Sequence, residues 1–246
     1  LKYTITNTLY MTKKMPLDMA PDAVDDMYEG CAKDALNKFV FSNLLKEELN
    51  NSEAFQRAWD QSQTPACTKI IPGGMKEHTT ALRTYVTSDE TFRKNLNNAV
   101  YTCGTNTTTY EDNFYFKSLH FLLMDSIQLL NPGACKTVYA FSDPIFTVQN
   151  GTRVRFGRFY MAYSDLDILK KERDMYGEVI LGINTCFFAE LEGNICHDDP
   201  IRLLSPTEEF TVEEVKTVEE DGASYNMIML KHSQLKGMHN CYMFSR

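Results

Sequence analysis

Nowhere in the 246 residues is there an apolar run approaching the ~18 residues that cross a bilayer as a helix, so a helical membrane span is excluded and a soluble chain is expected. Also missing are a CxxC pair, an HExxH string, a GxSxG elbow and a glycine-rich phosphate loop. Clustered zinc ligation and hydrolase or kinase chemistry therefore have no support. Basic charge is scarce. Lys and Arg number 25 against 33 Asp and Glu, for a net charge of -8, and basic clusters are as short as Arg153-Val154-Arg155. Such a chain repels polyphosphates, and nucleic acid is not an expected partner. No internal repeat, low-complexity tract or Pro/Gly/Ser linker divides residues 1–246, which read as a single domain. Leu1 opens no charged and apolar leader and Arg246 closes no hydrophobic tail, so the sequence reads as a mature chain.

What is present begins with seven widely spaced cysteines, Cys31, Cys67, Cys103, Cys135, Cys186, Cys196 and Cys241. That spacing predicts a disulfide framework, hence an oxidising compartment, with one thiol left over. Three N-x-S/T sequons, at Asn50, Asn106 and Asn150, point the same way, toward a secreted glycoprotein.

Apolar spacing divides the chain in two. Through about residue 133 it follows helical periodicity: Leu36, Phe39, Val40 and Leu44 share a face within 34–49, and Ala54, Phe55, Ala58 and Trp59 share one within 52–61. Ser52 is placed to cap the second of these helices. Ser88 precedes a stripe of Phe92, Leu96 and Val100, and a helix over 116–130 carries Leu119, Leu123, Ile127 and Leu130 before Asn131-Pro132-Gly133 stops it. Beyond Gly133 the runs become short and rich in β-branched and aromatic residues: 136–141, 153–160, 178–185, 202–204, 210–218 and 225–231. Asp221-Gly222 predicts a hairpin turn, and the wholly apolar Met227 to Leu230 predicts a strand buried on both faces. Helices followed by strands imply an α+β fold.

Candidate chemistry is sparse. The five histidines are scattered, and His120, on a strongly apolar helix, is expected to be a hydrogen-bonded core residue. Glu190, Glu192, Asp198 and Asp199 form the densest acidic segment, read either as paired carboxylates for acid and base work or as a solvated loop. No metal site is predicted; Asp198-Asp199 beside His197 offers too few regularly spaced oxygen ligands for a hard ion.

Several strings together resemble the vertebrate arginine-specific ecto-ADP-ribosyltransferases. They are Met19-Ala20-Pro21, Asp25-Asp26-Met27-Tyr28-Glu29-Gly30-Cys31, Leu119-His120-Phe121 with Ile127-Gln128-Leu129-Leu130, and Val138-Tyr139. Farther on come Arg155-Phe156-Gly157-Arg158-Phe159, Asn184-Thr185-Cys186, Leu203-Leu204-Ser205-Pro206 with Glu209-Phe210, and His239-Asn240-Cys241. The likeness runs from about Leu17 to Phe244. It implies the ADP-ribosyltransferase fold, with a helical lobe (about 17–133) packed on two facing β-sheets (about 134–246) and an NAD cleft between the sheets. It also implies disulfides Cys31 to Cys241 and Cys135 to Cys186, leaving the pairing among Cys67, Cys103 and Cys196 open.

Active members of that family carry an arginine that holds the dinucleotide phosphates, a serine that orients the nicotinamide ribose, and a Glu-x-Glu whose second glutamate stabilises the developing positive charge. The matching positions here are Ala140, Met161 and Ile201, none of which carries the required group. Asp199, two residues before Ile201, is the nearest substitute carboxylate. Further cleft candidates by this likeness are Tyr139, Arg155, Phe156, Gly157 and Tyr163.

The expected function is therefore that of a secreted pseudoenzyme. It would bind a small ligand or an extracellular protein through the former NAD cleft or its surface, with no cofactor. The apolar replacements favour an apolar or aromatic ligand over a dinucleotide. One alternative is an active mono-ADP-ribosyltransferase or NAD glycohydrolase using NAD and a substitute carboxylate. Another is a secreted toxin or defence factor. A lipid-anchored precursor is compatible with each.

Overall fold

The computed structural model describes residues 14–63, 67–172, 174–220 and 222–244. The helical lobe runs through α1 (Ala32–Leu36), a π-helical turn (Asn37–Phe41), α2 (Leu44–Asn51), α3 (Glu53–Ser62), α4 (Lys76–Thr87), α5 (Glu90–Thr102), α6 (Thr107–Asn113) and α7 (Lys117–Leu130). The helix predicted over 34–49 is thus interrupted. Its chain widens into the π turn and leaves helical geometry at Ser42, whose hydroxyl donates back to the Lys38 carbonyl.

Ser52 caps α3 by accepting from the Phe55 N–H, as predicted. Helix α5 is capped by Asp89, which accepts from the Phe92 N–H. Helix α4 went unpredicted because four threonines break its apolar stripe. Thr80 and Thr84 are buried nonetheless and satisfy their hydroxyls on the carbonyls of Lys76 and Thr80, one turn back.

The β part holds a short parallel pair, β1 (Met15–Pro16) with β3 (Phe146–Thr147), and one eight-strand ladder. That ladder comprises β2 (Lys136–Phe141), β4 (Arg153–Arg155), β5 (Tyr160–Tyr163), β6 (Val179–Thr185), β7 (Phe188–Glu190), β8 (Ile201–Leu204), β9 (Glu208–Glu220) and β10 (Ala223–Leu235), in the order β4-β9-β10-β6-β2-β5-β8-β7. A short helix α8 (Leu166–Leu169) follows β5.

The ladder is nearly severed between β2 and β5, which share a single residue pair, Tyr139 with Tyr163. It therefore behaves as two sheets, one of five strands and one of three. Their facing sides build a common core. Val138, Val154, Leu181, Phe210 and Ile228 come from the five-strand sheet, and Tyr160, Ala162, Phe188 and Leu204 from the three-strand sheet. A second core fills the helical lobe and extends onto Ala189, Ile201 and Leu203, so the lobe sits on the outer face of the smaller sheet. The fold is α+β, a helical lobe on two facing sheets.

The predicted strand over 153–160 is two strands, because Gly157 takes the left-handed conformation (φ +60°) and presses against Ala20. A Cβ at Gly157 would lie 2.3 Å from that of Ala20, so only glycine fits. Met227, Ile228 and Leu230 are buried within β10, between β6 and β9. Gly222 of the connecting turn is left-handed (φ +81°), and Asp221 lies outside the described residues.

Three disulfides staple the chain: Cys31 to Cys241, Cys67 to Cys196, and Cys135 to Cys186, with Cys103 free. Beside the first, Asp25 and Asp26 gather the C-terminal segment. Asp25 accepts from the backbone N–H of Met238 and His239, and Asp26 from those of Tyr28, Cys241 and Tyr242. Burial pushes the Asp26 carboxyl above its ordinary range, opposed by those three donors.

His120 is fully buried. Its Nε2–H donates to the Val24 carbonyl, and its Nδ1 accepts from the Tyr28 hydroxyl. Burial draws its pKa down to about 4, which keeps the ring neutral.

Candidate functional site

Strands β2, β5 and β8 lie side by side, so Tyr139, Tyr163 and Ile201 form one row across them. Ala140 is the next residue along β2, and Met161 lies two residues back on β5. Ala140, Met161 and Ile201, the three positions that the sequence likeness matches to the signature, all line one cavity of about 670 Å³.

Its floor and walls also include Phe141, Tyr160, Tyr163 and Leu169. The opposite wall is the polar face of α5, with Glu90, Arg93, Lys94, Asn97 and Asn98, together with Tyr85 of α4. Burial pushes the Tyr85 phenol up to about 12, partly offset by the Asn97 amide bonded to its oxygen. Tyr163 is likewise pushed up, first by burial and then by Glu172.

Of the predicted cleft residues, only Tyr163 lines this cavity. Tyr139 shares the cross-strand row but packs in the apolar cluster under α8. Arg155 is 1% exposed and held inside the protein: Nη1 donates to the Asp25 carboxylate at 2.7 Å and to the Lys236 carbonyl, and Nε to the Met19 carbonyl. Phe156 stacks on Tyr160 in the core between the sheets. Gly157 lies under Ala20 and Ala23. These three are corrected from cleft to framework; neighbouring strings of one segment point in opposite directions once Gly157 turns the chain.

The carboxylates of the acidic segment are either engaged or outside. Glu190 is held by Lys136 at 2.6 Å and Arg202 at 3.3 Å, and Lys136 in particular lowers its pKa. Glu192, Asp198 and Asp199 are exposed, as a solvated loop requires. The Asp199 side chain is 64% exposed and outside the cavity lining, although its carbonyl closes a turn onto the Ile201 N–H. Among the described residues one group meets the spacing of metal ligands, Cys186, Glu208 and His232. Cys186 is bound to Cys135, and Glu208 is already saturated by Thr185, the Cys186 N–H and His232, so the group is structural. The three sequon asparagines are exposed.

Sequence reading missed the α5 wall and Arg158. The signal was present as Glu90, Arg93, Lys94, Asn97 and Asn98, which recur at helical spacing on the side away from Phe92, Leu96 and Val100. Arg158 follows the Gly157 turn into the cavity, where burial lowers its pKa and the Tyr101 ring lies 4.5 Å beneath its guanidinium.

A helical lobe on two facing sheets, with a cleft where the sheets part, defines the ADP-ribosyltransferase architecture. The crystal structure of the eukaryotic mono-ADP-ribosyltransferase ART2.2 is similar over 92% of this chain and 98% of its own, with a TM-score of 0.72 and 27% identity. A glutamate-to-isoleucine mutant of that enzyme, solved in complex with NAD, gives a TM-score of 0.71 over the same shares of the two chains, at 27% identity.

The family model for NAD:arginine ADP-ribosyltransferases matches residues 17–236, and the chain belongs to that family. It is 30% identical to human ecto-ADP-ribosyltransferase 5 over 92% of this chain and 80% of that protein. It is 28% identical to the chicken erythroblast NAD(P)(+)–arginine ADP-ribosyltransferase, over 93% and 76%. No helix among the described residues is long and apolar enough to cross a membrane.

Proposed function

We propose that this protein is an extracellular pseudoenzyme that keeps the transferase fold and uses the cleft to bind a small apolar or aromatic ligand. The observation that carries this reading is the convergence of Ala140, Met161 and Ile201 on one cavity, in place of the phosphate-holding arginine, the ribose-orienting serine and the charge-stabilising glutamate. Loss of one preorganised electrostatic group costs about 3 kcal/mol of transition-state stabilisation, a hundredfold or more in rate. Three such losses remove NAD transfer even if they are less than additive.

The active alternative requires a substitute carboxylate. Glu190 is neutralised by two cations, and Asp199 projects into solvent. A glutamate-to-isoleucine mutant of the ART2.2 enzyme is solved in complex with NAD, so loss of one glutamate leaves that enzyme able to hold the dinucleotide. Here Ala140, at the position matched to the phosphate-holding arginine, offers the phosphates neither charge nor donor. The disulfides and the exposed sequons support an extracellular setting.

The test is nicotinamide release from NAD, with and without free arginine as acceptor, by the wild type and an Asp199→Asn variant. Release no higher than the protein-free blank is expected. Release that Asp199→Asn abolishes would overturn the proposal, and saturation at micromolar NAD in a thermal-shift titration would sink the apolar-ligand reading.

A further inference from the structure

The cleft contains one group that an apolar ligand alone would leave unsatisfied. Arg158 is largely buried, lines the cavity, and has no carboxylate within ion-pair distance among the described residues. Among the described residues its buried Nε has no hydrogen-bond partner, and its Nη2 meets the Met15 sulfur at 3.9 Å. Of the two carboxylates that line the cavity among the described residues, Asp143 is exposed and approached by Lys94 at 3.8 Å, and Glu90 is exposed and paired with the same lysine at 2.5 Å. A guanidinium stays charged under all ordinary conditions, so burying it unpaired is unfavourable. Its neighbours with other roles, the Tyr85, Tyr101 and Tyr160 phenols, offer rings and neutral hydroxyls rather than charge.

The backbone that carries Arg158 is locked. The adjacent Phe159 N–H donates to Asn97 Oδ1, and its carbonyl accepts from both Asn97 Nδ2 and the Tyr85 hydroxyl. Gly157 fixes the other side. A cation preorganised in this way loses little freedom when it meets an anion. It lies only three residues before Met161, at most about 10 Å along an extended chain.

Resting on the reading of the cleft as a ligand site, we propose that Arg158 is its anion subsite and that the ligand is an amphiphilic acid. The apolar body lies against Ala140, Met161 and Ile201, and a single carboxylate, sulfonate or phosphate pairs with the guanidinium. This assigns the cleft a charge selectivity that arises from a different wall than the missing phosphate arginine.

Two fluorescent probes with one aromatic body separate the claims: 8-anilinonaphthalene-1-sulfonate, an anion, and uncharged N-phenyl-1-naphthylamine. Each is titrated into the intact-disulfide wild type, Arg158→Gln, Arg158→Lys and Met161→Trp, with thermal unfolding followed for every variant. The wild type is expected to bind the sulfonate at least tenfold more tightly than the uncharged probe, with one-to-one saturation. Arg158→Gln should lose that preference while binding the uncharged probe as before, and Arg158→Lys should keep part of it. Met161→Trp, which fills the cleft, should weaken both. Equal wild-type affinity for the two probes, or a sulfonate preference that survives Arg158→Gln, overturns the anion subsite and leaves the apolar cleft standing. Failure of both probes to saturate the wild type overturns the cleft reading and the subsite together.

Discussion

Substituting Asp25 by Asn should unfold the junction between the two ends of the chain, and its size distinguishes a framework Arg155 from a ligand-binding one. The wild-type carboxylate is fully buried and faces the Arg155 guanidinium at 2.7 Å, with the backbone N–H groups of Met238 and His239 as further donors. Asparagine preserves the shape and one acceptor oxygen but leaves a guanidinium that is 1% exposed without its counter-charge. Breaking a buried pair from one side costs about 3–5 kcal/mol. For a domain of this size that corresponds to a fall in Tm on the order of 10 °C.

Urea unfolding of wild type, Asp25→Asn, Arg155→Met and the double variant gives the coupling directly. The double variant should be less destabilised than the sum of the singles by about 2–3 kcal/mol, since a contacting pair is removed together. A cost of less than about 1 kcal/mol for Asp25→Asn would refute the reasoning. So would an Arg155→Met variant of unchanged stability whose probe binding is altered, because that would return Arg155 to the cleft.

Glu48 should make the protein more stable toward mild acid. Burial raises its pKa from 4.5 to about 7, despite N–H donors from Lys117 and Ser118, so between those values the native chain holds a proton that the unfolded chain has released. Stability therefore rises as the pH falls from 7 to 4.5, by about 3 kcal/mol from this group, and Glu48→Gln should lack that gain when unfolding is measured across the interval. Restoring Ala140→Arg, Met161→Ser and Ile201→Glu together should yield nicotinamide release that none of the three single variants shows; release by Ile201→Glu alone would mean that the other two positions were misassigned. Under native, non-reducing conditions a thiol reagent should count at most one reactive group, on Cys103, and peptide mapping should recover Cys31 with Cys241; a second titrating thiol would contradict the disulfide framework.

The α+β order was legible because periodicity changes at Gly133, and the apolar residues of α5 and α7 recur at helical spacing. Helix α4 was not, since the buried positions Thr80 and Thr84 read as polar until their hydroxyls are seen on carbonyls of the preceding turn. Much of the family likeness falls on the clasp formed by Asp25, Asp26, Arg155 and the segment around Cys241, whose members are far apart in sequence and meet only in the fold. The likeness suggested Arg155 as a cleft residue, whereas in the fold Arg155 is held in the clasp and Arg158 lines the cavity. Which of two arginines flanking Phe156-Gly157 points outward depends on a left-handed backbone at Gly157 and a close contact with Ala20, and neither has a local signal. The convergence of Ala140, Met161 and Ile201, in contrast, follows from three adjacent strands and was foreseeable once the strings were aligned.

The Cys31 to Cys241 bridge also sets how the molecule bears load. Tension that enters before Cys31 and leaves after Cys241 passes across one sulfur–sulfur bond, short-circuiting the segment of sequence separation 210 between them. Pulled from its two flanks, the oxidised protein should extend by no more than the residues that lie outside the bridge. Reduction would release roughly 700 Å of extra contour length, at ~3.3–3.6 Å per residue, and would turn the same domain into a spring that yields under force.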